Sequence, residues 1–216
     1  LRSVGSSREI IQNKMNTNLK SESFTIPGIK ISANVELKDI YSRAANVIGK
    51  IISRNHKYRD EFVIIGAHFD HLGYGGPGSG SLKPDTNAVH NGANDNASGT
   101  AGLLELAHKL QANRKLLKRS ILFIAFDAEE KGLLGSKYFV QNPTIDIKNV
   151  SAMINMDMIG KMRDSTVIIG GVGTSPVFEP ILDSLSIDAG LKFEYDKAGY
   201  GPSDHASFYA ENIPVL

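Results

Sequence analysis

Cysteine is absent from this 216-residue chain, which excludes disulfides, thiolate metal sites and a cysteine nucleophile. The absence leaves the compartment open, because a cysteine-free chain suits the cytosol and the periplasm equally. A charge bias is also missing. Lysine and arginine total 24 against 23 acidic residues, a formal net charge of +1, so nothing points to nucleic acid or a membrane surface as partner. No apolar run approaches the ~20 residues of a membrane-spanning helix, so no span is expected. Internal repeats and low-complexity tracts are lacking too. The chain opens at Leu1 with neither a methionine nor a charged-then-apolar leader, which implies that any signal peptide has already been removed. Both ends read as cut.

What is present is an ordinary globular composition, 41% hydrophobic and 22% charged, long enough for one large α/β domain. Ser6 or Ser7 is placed to cap a short helix running to Leu19, with Ile10, Ile11, Met15 and Leu19 on one face. Pro27-Gly28 signals a turn. Ile29, Ile31, Ala33, Val35 and Leu37 alternate with polar residues, predicting a half-exposed strand, and residues 44–52 read as its hairpin partner. The core begins at Phe62-Val63-Ile64-Ile65. A glycine-rich loop of about 25 residues follows, longer than structureless loops usually are without a function. A helix is expected over 97–111. Ile121 to Phe126 reads as a strand buried on both faces. After a helix over 131–140, residues 150–158 and 167–169 read as further strands. A helix to about Asp188 is expected to be capped by Thr174 or Ser175 with Pro176 in its first position. Residues 192–195 read as extended, Ser203 as the cap of a short helix, and Ile213 as the start of another strand. Strands alternating with helices predict an α/β fold, a mostly parallel twisted central sheet with helices on both faces.

In such sheets ligands sit beyond the carboxyl ends of the strands. Those ends carry His68 and Asp70, then Asp127, Glu129 and Glu130, then Asp157, while Asp95 lies at the start of a helix. Buried carboxylates are costly unless paired or bound to a metal. Imidazole with carboxylate and no thiolate suits zinc, and also manganese or cobalt. The acids outnumber the needs of one closed zinc site, so a metal pair sharing a carboxylate accounts for them better.

The segments His68-Phe-Asp70, Gly-Ala-Asn-Asp95-Asn-Ala-Ser-Gly, Asp-Ala-Glu129-Glu130-Lys-Gly-Leu-Leu-Gly-Ser and Asn-Met-Asp157-Met-Ile-Gly together resemble the co-catalytic zinc aminopeptidases of peptidase family M28. The likeness runs from about Asn46 to the last residue, in the family's order and spacing. It implies a zinc-aminopeptidase-like three-layer α/β/α fold over 46–216, with 1–45 a lead-in after a removed region. It also implies two zinc ions per chain and a peptide substrate. His68 and Asp157 would hold the first ion, Asp95 would bridge, Glu130 would hold the second and Glu129 would be the general base. Asp70 would accept the other ring N–H of His68, and the Asp95–Asn96 peptide bond would be cis. The family's further histidine, from a Tyr-His segment, is expected beyond Leu216, so the catalytic domain reads as truncated there. A secreted or periplasmic location is the family expectation, without excluding the cytoplasm.

Other readings stay open. A glutaminyl cyclase would use one zinc on the same scaffold, and a dipeptidase or carboxypeptidase would differ in its recognition pocket. A non-catalytic receptor version would have lost ligands. Glu129-Glu130 alone would suit an exposed helix start. His205 in Ser-Asp-His-Ala-Ser-Phe is a tempting further ligand, although the family places that motif near the substrate pocket. His71 reads as rim or structural, because adjacent strand residues face opposite ways, and Asp127 as an acid holding the loop. His56, His90 and His108 read as surface residues, and the basic cluster 114–119 as a solvated helix end. Gly170-Gly171-Val172-Gly173 reads as a strand-to-helix turn and not a dinucleotide loop. Tyr74, Tyr200, Phe208 and Tyr209 suit either a substrate pocket or packing.

Overall fold

The computed structural model describes residues 5–26, 28–30, 32–37 and 41–216. Two units are present, Leu1–Ser42 and Arg43–Leu216. In the first, helix α1 (Arg8–Asn18) is capped by Ser7, whose hydroxyl accepts the Ile10 amide at 3.3 Å, and ends on Leu19 in the left-handed region. None of its residues is buried. The expected strand over 29–37 is not formed among the described residues. Pro27 and Ile31, on which the turn and the alternation partly rested, lie outside them.

The second unit is built on a four-stranded sheet in the order β1-β3-β2-β4. Strands β2 (Phe62–His68), β3 (Ser120–Phe126) and β4 (Val150–Asn155) run parallel, and β1 (Val47–Ile51) is antiparallel on the edge against β3. The partner of β1 is therefore not a preceding hairpin strand but a strand some 70 residues later, Val47 facing Ala125 and Ile51 facing Ile121. β2 and β3 are buried almost throughout, as continuous apolar runs require in the middle of a parallel sheet. Each face carries a core. On one face Ile65, Ala67, Ile121 and Phe123 pack with Leu103 of helix α2 (Gly99–Ala112). On the other, Ile64, Leu122, Ile124 and Phe126 pack with Phe139 of α3 (Leu134–Gln141) and with Phe208. The three phenylalanines are fully buried, with ring centroids 5.8 and 5.9 Å apart. Each contributes roughly 1.5–3 kcal/mol of burial, so Phe208 is spent on the core and not on a substrate pocket.

β5 (Thr166–Ile169) does not join the central sheet. It pairs in parallel with β6 (Lys192–Tyr195) in a two-stranded sheet, α4 (Phe178–Ala189) connecting them. The cap expected for α4 is absent. Val177 precedes the helix without a side-chain cap, and Pro176 stands outside it. Thr174 serves the last strand instead, its hydroxyl donating to Val215 O at 3.0 Å and accepting from Val215 N at 2.9 Å. Val215 in turn bridges Met153 of β4 in parallel. Helix α5 (His205–Tyr209) follows Asp204, and the Ser203 side chain is used elsewhere than as its cap.

Candidate metal centre

His68 is the last residue of β2, the Asp127–Glu130 turn follows β3, and Asp157 lies two residues beyond β4. Parallel neighbours end at the same level, so these groups emerge together at one edge of the sheet. Asp95 reaches the same place from the other direction, in the tight turn Ala93–Ser98 that leads into α2, where the Asp95–Asn96 peptide bond is cis. Asn96 is buried and ties that turn to the end of β4. Its amide donates to Met156 O at 3.0 Å, and its carbonyl oxygen accepts the amides of Gly99 and Met158 at 3.0 and 3.2 Å.

The ring of His68, 1% exposed, is held by Thr100 Oγ1 on its backbone carbonyl (3.1 Å) and by Asp70 at Nδ1. Nδ1 meets the backbone carbonyl of Asp70 at 3.1 Å, and the carboxylate stands 3.7 Å off. With Nδ1 carrying the hydrogen, the lone pair is on Nε2. The Asp70 carboxylate does something the sequence did not reveal. Its Oδ1 accepts the Glu129 amide at 2.9 Å and its Oδ2 the Glu130 amide at 3.2 Å, so it grips the backbone of both glutamates. Burial pushes its pKa up, but His68 and these two amides hold it below the usual value. The turn itself is tight. Ala128 takes a left-handed conformation (φ 55°), with its amide on Asp127 Oδ1 at 2.8 Å, while Asp127 Oδ2 accepts Ala45 N at 2.9 Å. Met158, next to Asp157, is also left-handed at φ 54°. Such backbone strain is concentrated at functional sites.

Around Nε2 of His68 stand Asp95 Oδ1 at 3.3 Å, Asp157 Oδ1 at 3.5 Å and Glu129 Oε2 at 4.0 Å. One N–H cannot satisfy three acceptors at these distances, whereas a cation between them can. Asp157 sharpens the test. Its Oδ2 accepts the Ser203 hydroxyl at 2.9 Å, and Ser203 accepts the Asn155 amide at 2.8 Å, but Oδ1 is buried with no hydrogen-bond partner. A buried carboxylate oxygen left bare opposite an imidazole nitrogen fits a divalent ion, and the N/O donor set fits zinc. Without the ion the proton takes its place. Burial works to lower the His68 pKa, but Asp157, Asp70 and Glu129 overcome it and hold it at about 11. At Asp157 burial works the other way, to raise the pKa, and it is opposed by the hydrogen bonds of His68 and Ser203 and by the charges of His68 and His205. The opposing interactions prevail and its pKa is lowered.

A second group lies beside the first, made of His71, Asp95 and Glu130. The prospective ligand atoms within each group are all within 4.8 Å of one another. Asp95 belongs to both, Oδ1 on the His68 side and Oδ2 3.9 Å from His71 Nδ1. His71 Nδ1 lies 2.7 Å from Glu130 Oε1. His68, Asp95, Glu130 and Asp157 thus fall into one or other of two groups joined through Asp95, with Glu129 at their edge. His205, among the described residues, is in neither.

Strand alternation reads His71 as rim or structural and turns its side chain away from that of Asp70. β2 has already ended at His68, so alternation no longer governs residue 71 and its ring turns inward. Two other residues of the Ser203-Asp204-His205 segment have roles that the sequence does not assign them, Ser203 reading there only as a helix cap. Ser203 holds Asp157, and Asp204 is fully buried with neither carboxylate oxygen hydrogen-bonded. Burial raises Asp204 to about 6, reinforced by the charges of Asp70 and Asp157 and opposed by that of His68. The signal in the sequence is an acid directly before the short helix that carries the core residue Phe208, with no lysine or arginine after it in the chain.

Comparison with known proteins agrees with this architecture. Aminopeptidase YwaD of Bacillus subtilis is 31% identical over 186 residues, covering 84% of this chain and 37% of that protein. The glutamate carboxypeptidase 2 homolog of Caenorhabditis elegans is 33% identical over 174 residues, 78% of this chain and 19% of that one. Among solved structures, BSAP, a zinc aminopeptidase from Bacillus subtilis, superimposes with a TM-score of 0.59 at 29% identity, over 79% of this chain and 38% of that chain. The chain thus spans well under half the length of these relatives. The sequence model for peptidase family M28 matches residues 46–216, from the edge strand through every acid of the metal centre, and the chain belongs to that family.

Proposed function

We propose that this chain carries the catalytic centre of a zinc-dependent exopeptidase that removes the N-terminal residue of peptides. The observation that carries the reading is the convergence of His68 Nε2, Asp95 Oδ1 and Asp157 Oδ1 at 3.3 and 3.5 Å, with Glu129 Oε2 4.0 Å from the same nitrogen. Two of the relatives above are named as aminopeptidases, one of them a zinc enzyme. Zinc held by these residues supplies Lewis acidity, polarising a scissile carbonyl and making water acidic near neutral pH.

His68 and Asp157 would hold one ion, Glu130 a second, and Asp95 would offer one oxygen to each. Glu129 is the proposed general base. It is 9% exposed, and burial, reinforced by Asp204, Asp157 and Glu130 against the opposing charge of His68, raises its pKa to about 7. A carboxylate in that range can take a proton from attacking water and return it to the leaving amine. Asp70 keeps it in place through the Glu129 amide. The acidic rim suits a free α-amino group.

Glu129→Gln tests the assignment. Hydrolysis of an aminoacyl chromogenic substrate should fall by roughly 10²–10⁴-fold while the metal content stays that of the wild type. Unchanged turnover would remove Glu129 from the mechanism. The glutaminyl cyclase alternative predicts one zinc per chain by elemental analysis and cyclisation of an N-terminal glutamine, and two ions would argue against it.

A further inference from the structure

We propose that His71 is the positioning residue of the second metal position, orienting Glu130 through a hydrogen bond and not binding the ion itself. The inference rests on the two-ion reading above and extends it to a residue whose position alone gives no hint of the role.

Two ligand atoms bound to one zinc through bonds of ~2.0–2.1 Å at tetrahedral angles stand about 3.3 Å apart. The first group has that spacing, 3.3 Å from His68 Nε2 to Asp95 and 3.5 Å to Asp157. His71 Nδ1 and Glu130 Oε1 are 2.7 Å apart, too close for two ligands of one tetrahedral ion. It is the length of an N–H donated to a carboxylate. Nδ1 therefore carries the hydrogen and donates it to Oε1, which leaves the other oxygen of Glu130 available to a metal.

The grip is double. Asp70 Oδ2 accepts the Glu130 amide at 3.2 Å while the adjacent His71 holds the Glu130 carboxylate. Consecutive residues thus fix both ends of one prospective ligand. The ring's own place is set by Gly92, whose positive φ of 61° suits glycine and where an added Cβ would come within 3.0 Å of His71 Cβ and Cδ2. Hydrogen bonds to ligating carboxylates are worth about 10–100-fold in metal affinity. Here the effect should fall mainly on the second ion, because the hydrogen bond of His71 is to Glu130. The Asp95 oxygen that faces it is Oδ2 at 3.9 Å and not the Oδ1 beside His68, and among the described contacts it touches neither His68 nor Asp157.

The test is stepwise zinc titration of the metal-free full chain by calorimetry, repeated on His71→Leu and His71→Asn. The Asn amide keeps an N–H donor near the place of Nδ1, and the Leu side chain does not. We expect two binding steps in the wild type. In His71→Leu the second should weaken about 10–100-fold with the first changed far less, and in His71→Asn the second should return to within a few-fold of wild type. Equal binding of both ions by wild type and His71→Leu would overturn the role of His71 alone. Failure of Asn to rescue, with X-ray absorption of the cobalt-loaded wild type showing one more imidazole than His71→Leu, would make His71 a direct ligand and also overturn it. A wild type that takes up a single ion would remove the two-ion reading, and this inference with it.

Discussion

At the scale of single residues the centre is a study in buried charge. Asp204 has neither oxygen hydrogen-bonded and no exposure, a costly arrangement that shows itself as a raised pKa of about 6 against an ordinary 3.8. The sign of its linkage follows. A carboxyl whose folded pKa is raised favours folding while protonated, so its contribution is fully present below about 3.8 and is lost as pH rises through about 6. The difference of some two units is worth about 3 kcal/mol. We expect Asp204→Asn, in chelator-treated protein, to be more stable than wild type by about 1–3 kcal/mol at pH 8, with the gap closing towards pH 4. Urea unfolding of the two proteins across that range is the check, and a gap independent of pH would show that Asp204 finds a partner we have not identified.

Elements meet at this site because backbones are allowed to touch. Helix α2 begins at Gly99 against the end of β4, where an added Cβ would fall 2.3 Å from Met156 O and 2.4 Å from Asn96 Oδ1. Those same atoms carry the bonds that hold the Asp95 turn to the segment after β4 that bears Asp157. Gly99→Ala should therefore do two things at once. Overpacking against backbone should cost about 1–3 kcal/mol of stability, and zinc affinity should fall because Asp95 and Asp157 no longer keep their separation. Thermal unfolding with parallel zinc titration would measure both. Lost stability with intact affinity would mean that the turn moves with the helix as one body.

The second unit carries a central sheet with a core on each face, and the acids of the metal centre are gathered at one end of that sheet. His68, Asp70, Asp95, Glu129, Glu130 and Asp157 stand close together there, so repulsion among the carboxylates opposes folding until a cation arrives. Metal that binds only the folded state stabilises it, by about 2.7 kcal/mol when free metal is a hundred times its dissociation constant. Chelation should accordingly lower the melting temperature by several degrees, with zinc restoring it and far-ultraviolet circular dichroism little changed. A melting temperature indifferent to chelator and zinc would count against the metal centre itself.

Much of this was legible in the order of residues. Apolar runs at 62–65 and 121–126 announced strands buried on both faces because a helix needs more length and a half-exposed strand needs alternation. Acids and a histidine closing those runs marked the chemistry, since core strands do not end in carboxylates without a reason. What the chain order alone left undecided was pairing and direction. Val47–Ile51 finds its partner at Ile121–Ala125, and no local pattern specifies a contact across that separation. β5 and β6 form their own sheet, although as sequence they resemble any short strand. The inward turn of His71, the hold of Ser203 on Asp157 and the double grip of Asp70 on the glutamate amides were decided by the tertiary structure. Each depends on where one segment's backbone ends relative to another's, and hydrogen bonds of about 3 Å are set by that three-dimensional meeting, while residue type and spacing determine only which groups are available to make them.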